Sequence, residues 1–179
     1  MISISTLFET KLPLPLRHRV EVIIKKDDKI LLSVVPPYPP VVTKQYYGLP
    51  GGGIETGDTA TETVQKECME ELGIKVKNIK QIKVPPFIQM HEQAFQKKTG
   101  SVKLDTRGQE YAGYHTTYYS AEFDKIDKSL YGSDNDQMKY QSFDYDEALK
   151  ILKDQSINFE DKKRLALFKK RVEALERFL

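Results

Sequence analysis

The sequence predicts an α/β fold on three observations: a β-hairpin pattern near the N-terminus, a capped amphipathic helix in the middle and an amphipathic helix at the C-terminal end. With 179 residues, of which 39% are hydrophobic and 30% charged, the chain is long enough to bury one sizeable core. We expect one domain over residues 1–179, with an N-terminal arm at 1–16 and a long loop or insertion at 85–109.

The hairpin pattern comes first along the chain. Residues 19–25 and 30–35 are rich in Val, Ile and Leu, and a charged turn signal at 26–29 separates them. The next segment, 36–40, has four prolines and therefore cannot donate a regular set of backbone hydrogen bonds to a sheet. We expect a stiff surface connector there, either an ordered loop or a polyproline segment.

A glycine-rich loop precedes the central helix. Residues 48–57 contain five glycines, which suits a backbone that passes close to another group. Thr59 and Glu62 have the spacing of a capping box, and Gly73 stands where a left-handed C-terminal cap is expected. The helix is therefore predicted from residue 59 or 60 to residue 72. Its apolar stripe consists of Val64, Cys68 and Leu72.

The second half of the chain has weaker patterns. Residues 74–84 and 111–123 are predicted strands, whereas 85–109 and 124–140 are polar and predicted to be irregular. Helices are predicted at 146–153, after a short segment that begins at Phe143, and at 158–179. The last helix is amphipathic and could cover the sheet of its own chain or that of a second copy, so a homodimer stays open.

Composition excludes several classes of protein. Lys plus Arg (28) nearly balances Asp plus Glu (26), which gives no support for wholesale binding to nucleic acid or membranes. A lone cysteine, Cys68, excludes an internal disulfide framework, and one Cys with three scattered His offers no zinc-site spacing. The sequence has neither a signal-peptide apolar core nor a run of about 18 apolar residues. We expect a reduced, cytoplasmic protein.

Three glutamates of the central helix carry the strongest chemical signal. Glu67, Glu70 and Glu71 lie at i, i+3 and i+4, so their carboxylates project from one face. Each like-charged pair costs the helix about 0.2 to 0.5 kcal/mol, and negative charge near a helix C-terminus is also unfavourable. A solvated helix face is the ordinary explanation for such a cluster. A hard divalent cation, which prefers oxygen ligands, would reverse the sign of this energy.

Taken together, the glycine loop and the helix resemble the Nudix box. That pattern is Gly, five residues, Glu, seven residues, Arg-Glu, an aliphatic residue, any residue, Glu-Glu, any residue, Gly and an aliphatic residue. The lead-in is Leu49-Pro50-Gly51, and the matching positions are Gly52, Glu67, Glu70, Glu71, Gly73 and Ile74.

Two positions depart from the family pattern. Asp58 stands where the family has Glu, and Lys66 stands where it has Arg. Lysine cannot form the bidentate hydrogen bonds of arginine, and aspartate is one methylene shorter than glutamate. The charges are kept and the geometry is weakened, so metal ligation is expected while the catalytic rate is the property to test. Cys68 takes the aliphatic position and is predicted to be a small buried hydrophobe rather than a reactive thiol.

The resemblance implies an α/β/α sandwich around a mixed β-sheet and hydrolysis of a pyrophosphate bond in a nucleoside diphosphate linked to another moiety. One to three Mg²⁺ or Mn²⁺ ions would lie between Glu67, Glu70, Glu71 and the substrate, with the carbonyl of Gly51 or Gly52 as an additional ligand. Glu67 is the provisional general base. The catalytic set would comprise Glu67, Glu70, Lys66 and Asp58. In some family members a downstream carboxylate is the base, for which the candidates are Asp134, Asp136 and Glu110.

Residues that select the substrate lie outside the box. The predicted substrate-binding residues are Arg19, Lys44 and Tyr47. Further candidates for phosphate contacts are Arg17, Lys97, Lys98 and Arg107, and further candidates for stacking on a base are Tyr38, Tyr46 and Phe87. Packing in the core or at its rim is the ordinary explanation for each aromatic, Tyr47 included. The histidines, His18, His91 and His115, are predicted to be structural or exposed. Sixteen to eighteen residues past the box stand Met90, His91 and Glu92, so the Pro of ADP-ribose hydrolases and the Tyr of dinucleoside polyphosphate hydrolases are both missing.

Three functions stay open on the sequence. The favoured one is a hydrolase of a nucleoside triphosphate or a nucleotide conjugate. The second is a nucleotide-binding sensor with little turnover, a consequence of Asp58 and Lys66. The third is a hydrolase of capped or 5′-triphosphorylated RNA, in which basic residues of 97–107 would hold the strand. The expected partner is a small nucleotide, with nucleic acid only as such an RNA end and no membrane.

Overall fold

The computed structural model describes residues 15–90, 111–132 and 138–178. Its strands are β1 (Leu16–Lys26), β2 (Lys29–Val35), β3 (Tyr46–Gly48), β4 (Ile74–Gln81), β5 (Phe87–Met90), β6 (Gly113–Ile126) and β7 (Lys139–Asp144). Its helices are α1 (Ala60–Leu72), α2 (Tyr145–Asn158) and α3 (Leu165–Phe178), and a 3₁₀ turn (Lys162–Arg164) precedes the last one. None of the described helices has the length and apolar character that a membrane crossing requires.

The seven strands form one mixed sheet. Strand β1 runs parallel to β6, from the pair Leu16 and Gly113 to the pair Lys25 and Glu122, and antiparallel to β2. Strands β4 and β5 pair antiparallel with β6, while β3 and β7 pair antiparallel with β2. Strand β2 pairs with β1 only near their shared turn. The remaining part of that edge of β1 is therefore open to the glycine loop.

Helices cover both faces of this sheet. Alternate residues of β1, such as Val20 and Val22, pack with the stripe of α1 in one buried cluster. Ile23 points to the opposite face and packs with Leu152 of α2 and Phe168 of α3 in a second cluster. This arrangement confirms the α/β/α sandwich.

Helix α1 has the predicted bounds and caps. The Thr59 hydroxyl accepts the Glu62 N–H at 3.2 Å, and the Glu62 carboxylate accepts the Thr59 N–H at 2.7 Å. Gly73 adopts the left-handed conformation, with φ of 65°. Cys68 is fully buried, and burial raises the pKa of its thiol, in agreement with the prediction of an inert hydrophobe.

Several strands have bounds that differ from the predicted ones. The strand predicted at 74–84 ends at Gln81, and part of the predicted loop 85–109 is strand β5. Strand β6 continues to Ile126, and the segment before α2 is strand β7. Strand β5 has only four residues and β7 is mostly polar, so neither has a clear strand pattern of its own; both are strands because they pair with the longer strands β6 and β2. Residues 91–109 of the predicted loop lie outside the described residues.

The C-terminal helices also differ from the prediction. The helix predicted at 146–153 spans Tyr145–Asn158, and the helix predicted at 158–179 begins only at Leu165. Buried Phe159 has an extended backbone that ends α2, and the Asp161 side chain caps the 3₁₀ turn. The proline segment 36–40 belongs to an ordered loop, closed by a bridge between Tyr38 and Val42, so the polyproline alternative was wrong.

A buried ion pair joins α3 to β1. The Arg171 guanidinium donates to both carboxylate oxygens of Glu21, at 2.6 and 2.9 Å, although the two residues are only 8% and 5% exposed. Removal of either partner of such a buried, bidentate pair would leave an unpaired charge in a low-dielectric environment and would strongly destabilise the fold. The interaction therefore fixes the register of α3 on the sheet.

We predict that Glu21→Gln or Arg171→Met alone lowers the free energy of unfolding by about 3 to 5 kcal/mol, because each leaves a buried charge without its partner. The double variant should lose much less. Chemical denaturation measures both. The exposed pair Lys153–Glu176, which joins α2 to α3 at 2.8 Å, is the control, and Glu176→Gln should cost about 1 kcal/mol or less. A single buried substitution that costs no more than this control would contradict the prediction.

Candidate active site

The glycine loop continues the sheet along the open edge of β1. Val22 N–H donates to the Pro50 carbonyl at 3.0 Å, and Val20 N–H donates to the Gly52 carbonyl at 2.9 Å. Ile54 N–H in turn donates to the His18 carbonyl at 2.9 Å. These hydrogen bonds fix the position of the loop along the edge of β1, next to the face of the sheet that α1 covers.

Two glycines of this loop have no room for a side chain. A Cβ on Gly51 would overlap the backbone carbonyl of Val20, and a Cβ on Gly52 would overlap the Glu67 carboxylate. Glu67 therefore rests directly against the loop backbone. The sequence pattern predicted a close approach here, and the structure shows that the loop lies between β1 and the first glutamate of the box.

Glu71 is the second glutamate at this loop. Its carboxylate accepts the Gly51 N–H at 3.1 Å. Burial, and next the charge of Glu67, raise the pKa of Glu71 to about 8. Two carboxylates thus share a poorly solvated space next to Gly51 and Gly52, which is an energetically unfavourable arrangement that a cation would relieve.

Glu70 is anchored differently. Its backbone carbonyl accepts the Gly132 N–H at 3.0 Å, and the Glu71 carbonyl accepts the Met138 N–H at 3.1 Å. The connection from β6 to β7 therefore caps the C-terminal end of α1.

Among the described residues, no three His, Cys, Asp or Glu side chains converge closely enough to hold a metal ion by themselves. The structure brings together Glu67 and Glu71, and Glu70 does not complete such a group.

Oxygen donors around the loop nevertheless fit a hard divalent cation. Mg²⁺ commonly uses one or two protein carboxylates together with substrate phosphates and water, so a three-carboxylate cage is not required. Glu67 and Glu71 supply the carboxylates. The Gly52 carbonyl already accepts a hydrogen bond from β1, whereas the Gly51 carbonyl accepts none within the described part of the chain.

Two arginines of β1 flank the loop. Arg17 forms an ion pair with Glu55 at 2.6 Å, and its guanidinium packs on Gly53. Arg19 lies over the Tyr114 ring, 5.0 Å from its centroid, and its charge partly offsets the raised pKa of Glu71. Arg17 thus braces the loop, while Arg19 is the cation next to the carboxylates.

The two departures from the box are not paired with each other. Lys66 is exposed, and within the described ranges neither its ammonium nor the Asp58 carboxylate makes an ion pair. The Asp58 backbone N–H donates to the Glu55 carbonyl at 3.1 Å. The loop is held instead by the pair of Arg17 with Glu55, which connects it to β1 rather than to α1.

Other predicted residues lie away from the glutamates. Lys44 and Tyr47 line a groove of about 670 Å³ between β3 and α2, whose lining includes none of the three glutamates. The Gln155 side chain bonds both the N–H and the carbonyl of Tyr47, at 2.8 and 2.9 Å. Tyr46 is buried in the core. The remaining candidates His91, Lys97, Lys98, Arg107, Glu110, Asp134 and Asp136 lie outside the described residues.

Sequence reasoning missed two acidic residues that shape this region. Glu55 was not recognised as the partner of Arg17, because the pairing depends on how the loop lies against β1. Glu21 carried a usable signal, since a single acid within the apolar run of β1 suggests a buried cationic partner. Its partner, Arg171, is 150 positions away and could not be inferred from a pattern.

The comparisons with known proteins agree with this geometry. The NUDIX domain family model matches residues 15–167, so the chain belongs to the NUDIX family, and this membership implies hydrolysis of a pyrophosphate bond. No curated protein matches the chain significantly.

Solved structures show the same fold at low sequence identity. A NUDIX hydrolase from Nitrosomonas europaea has a TM-score of 0.54 and 16% identity, covering 89% of this chain and 90% of its own. A crystal structure described as an ADP compounds hydrolase has a TM-score of 0.56 and 14% identity, covering 88% and 73%. The solution structure of the E. coli ORF135 protein has a TM-score of 0.51 and 15% identity, covering 92% and 89%.

We predict that alanine at Gly52 mainly lowers turnover, whereas alanine at Gly51 mainly lowers stability. Gly52→Ala should displace the flexible Glu67 carboxylate and lower turnover about 100-fold or more, with a loss of stability of about 1 kcal/mol or less. Gly51→Ala meets rigid backbone and should destabilise the fold by about 2 kcal/mol or more. Turnover and thermal unfolding, measured on both variants, check this. Equal effects of the two changes on stability would contradict it.

The raised pKa of Glu71 predicts a pH dependence of stability. Between its ordinary pKa of 4.5 and about 8, Glu71 holds its proton in the folded chain and loses it in the unfolded chain. Stability of the metal-free protein should therefore fall as pH rises through this window, by up to about 1.4 kcal/mol per pH unit from this group. Mg²⁺ or Mn²⁺ should stabilise the protein more at pH 8 than at pH 6, because binding expels the proton.

Glu71→Gln is the matched variant for this prediction, since it keeps the shape and removes the titration. Denaturation curves of both proteins at several pH values in EDTA give the comparison. Identical slopes of unfolding free energy against pH in the two proteins would show that Glu71 has no raised pKa.

Proposed function

We propose that this protein hydrolyses a pyrophosphate bond in a nucleoside diphosphate linked to another group, and that it requires Mg²⁺ or Mn²⁺. The observation that supports this most directly is the pair of carboxylates, Glu67 and Glu71, held against Gly51 and Gly52 in a NUDIX domain. The two carboxylates repel each other at a crowded backbone turn, and a divalent cation would relieve that repulsion.

Glu67, Glu71 and the Gly51 carbonyl are the groups that would hold the cation. Gly51 is favoured over Gly52 because the Gly52 carbonyl is used by Val20. Glu70, next to them on α1, is the additional carboxylate. When bound, a divalent cation neutralises phosphate oxygens and lowers the pKa of a coordinated water.

Protein side chains would do the rest of the chemistry. Arg19 would bind a phosphate oxygen, which suits its place beside Glu71. Glu67 would accept a proton from the attacking water, whose oxygen forms the new bond to phosphorus. The bond between phosphorus and the bridging oxygen breaks, and that oxygen leaves on the departing phosphate. Arg17 and Glu55 would keep the loop in place during this exchange.

The proposed substrates are nucleoside triphosphates and nucleotide conjugates. Lys44 and Tyr47 lie in the groove between β3 and α2, so as substrate-binding residues they would contact a part of the substrate away from the diphosphate. One structural neighbour is described as an ADP compounds hydrolase, and ADP-containing conjugates therefore belong in a substrate panel.

We expect turnover of at least one member of such a panel in Mg²⁺ or Mn²⁺, measured as released phosphate, pyrophosphate or nucleoside monophosphate. Glu67→Gln should lower kcat by about 10² to 10⁴-fold, because it removes a proton acceptor and a metal ligand while keeping the shape. Glu176→Gln, at an exposed position of α3 outside both the groove and the glycine loop, is the control and should leave kcat unchanged within about twofold.

Failure would have a clear form. If no substrate turns over and Glu70→Gln leaves nucleotide binding unchanged, the hydrolase proposal is wrong. Nucleotide binding that requires Glu67 and Glu71 without turnover would instead identify a sensor. Turnover confined to capped or triphosphorylated RNA would identify the RNA-end activity.

A further inference from the structure

A second polar cleft lies between β4 and the end of α3. Its volume is about 360 Å³, and its lining includes Lys80 of β4, Lys83, Ser120 of β6, and Arg177 and Phe178 of α3. None of the box glutamates and no residue of the glycine loop lines it. The cleft is therefore separate from the candidate active site.

Three cationic side chains from separate parts of the chain line this cleft. Lys80, Lys83 and Arg177 all line it, no acidic side chain does, and in the portion of the chain that the structure describes none of the three makes an ion pair. Like charges on one concave surface repel one another, and an anion would reverse that energy.

Acidic residues of the neighbouring elements are all engaged elsewhere. On α3, Glu173 pairs with Lys170 at 2.6 Å and Glu176 pairs with Lys153 at 2.8 Å. The acids of β6 and their partners are Glu122, which accepts from Asn78 at 2.8 Å, and Asp124, which pairs with Lys77 at 3.7 Å. Strand β4 itself has no acidic residue. None of these acids lines the cleft, and none is paired with its three cations within the described residues.

Simpler explanations account for each cation singly. Lysines on an edge strand prevent pairing with other chains, and an arginine in the last turn of a helix interacts favourably with the helix dipole. Neither explains why the three meet in one cavity beside a hydroxyl group. The Ser120 hydroxyl now donates to the Lys80 carbonyl at 3.3 Å, a long bond that it could exchange for a ligand oxygen.

We infer that this cleft binds a phosphate group, with Lys80, Lys83 and Arg177 as its ligands. A phosphate offers several oxygens to cationic donors, and Arg177 can contact two of them at once. The cleft is large enough for inorganic phosphate, pyrophosphate or the phosphate of a nucleoside monophosphate. It would act as a second anion site, outside the proposed catalytic centre.

The test is isothermal titration calorimetry of the full chain with inorganic phosphate in the presence of EDTA. Saturable binding is expected, and Lys83→Gln combined with Arg177→Gln should weaken it by about tenfold or more. Separate arms with pyrophosphate and adenosine monophosphate distinguish a free anion from a nucleotide phosphate. Lys25→Gln combined with Lys75→Gln removes two exposed strand lysines outside the cleft and should change the affinity less than about twofold.

Glu67→Gln separates this inference from the proposed hydrolysis, because it should abolish turnover and leave phosphate binding in EDTA unchanged. Thermal unfolding of every variant verifies that each is folded. Absence of saturable binding, or equal weakening by the cleft and control substitutions, would overturn the assignment. Binding that disappears in Glu67→Gln would also overturn it, because the phosphate would then be at the glutamate site.

Discussion

The close packing of the glycine loop between β1 and α1 is the constraint on which the candidate site depends. Gly51 touches the β1 backbone and Gly52 touches the Glu67 carboxylate, so a side chain at Gly51 would push the loop off the strand and one at Gly52 would displace the carboxylate. The backbone hydrogen bonds of Val20 and Val22 to the loop fix its height. The position of the glutamate therefore follows from steric exclusion and not from the helix alone.

Electrostatics on the two faces of β1 follow opposite rules. On the face covered by α3, the buried charge of Glu21 is matched by two hydrogen bonds from Arg171, so this charge needs no further partner. At the loop, Glu67 and Glu71 face each other in a poorly solvated space, and the pKa of Glu71 is raised to about 8. The charge of Glu21 is thus matched within the protein, whereas Glu67 and Glu71 form the site at which we propose that a cation binds.

The sequence predicted those elements whose conformation depends on residues that are neighbours along the chain. The bounds of α1 followed from Thr59 and Gly73, because a helix cap is a matter of neighbouring residues. Strands β5 and β7 were missed because their conformation comes from pairing with distant strands. The box spacing singled out Glu67 and Glu71, which both lie at the glycine loop, and their role as metal ligands stays a prediction. The bracing by Arg17 and Glu55 depends on loop placement that no spacing encodes.

Direct binding of Mn²⁺, followed by electron paramagnetic resonance, tests the central claim, namely that Glu67 and Glu71 at the glycine loop form a divalent-cation site. The account predicts stoichiometric loss of the free Mn²⁺ signal with the native protein and with the control Glu176→Gln, which lies outside the glycine loop and the groove. It predicts affinity weakened by about tenfold or more in Glu67→Gln and in Glu71→Gln. Equal Mn²⁺ affinity in all four proteins would contradict the account.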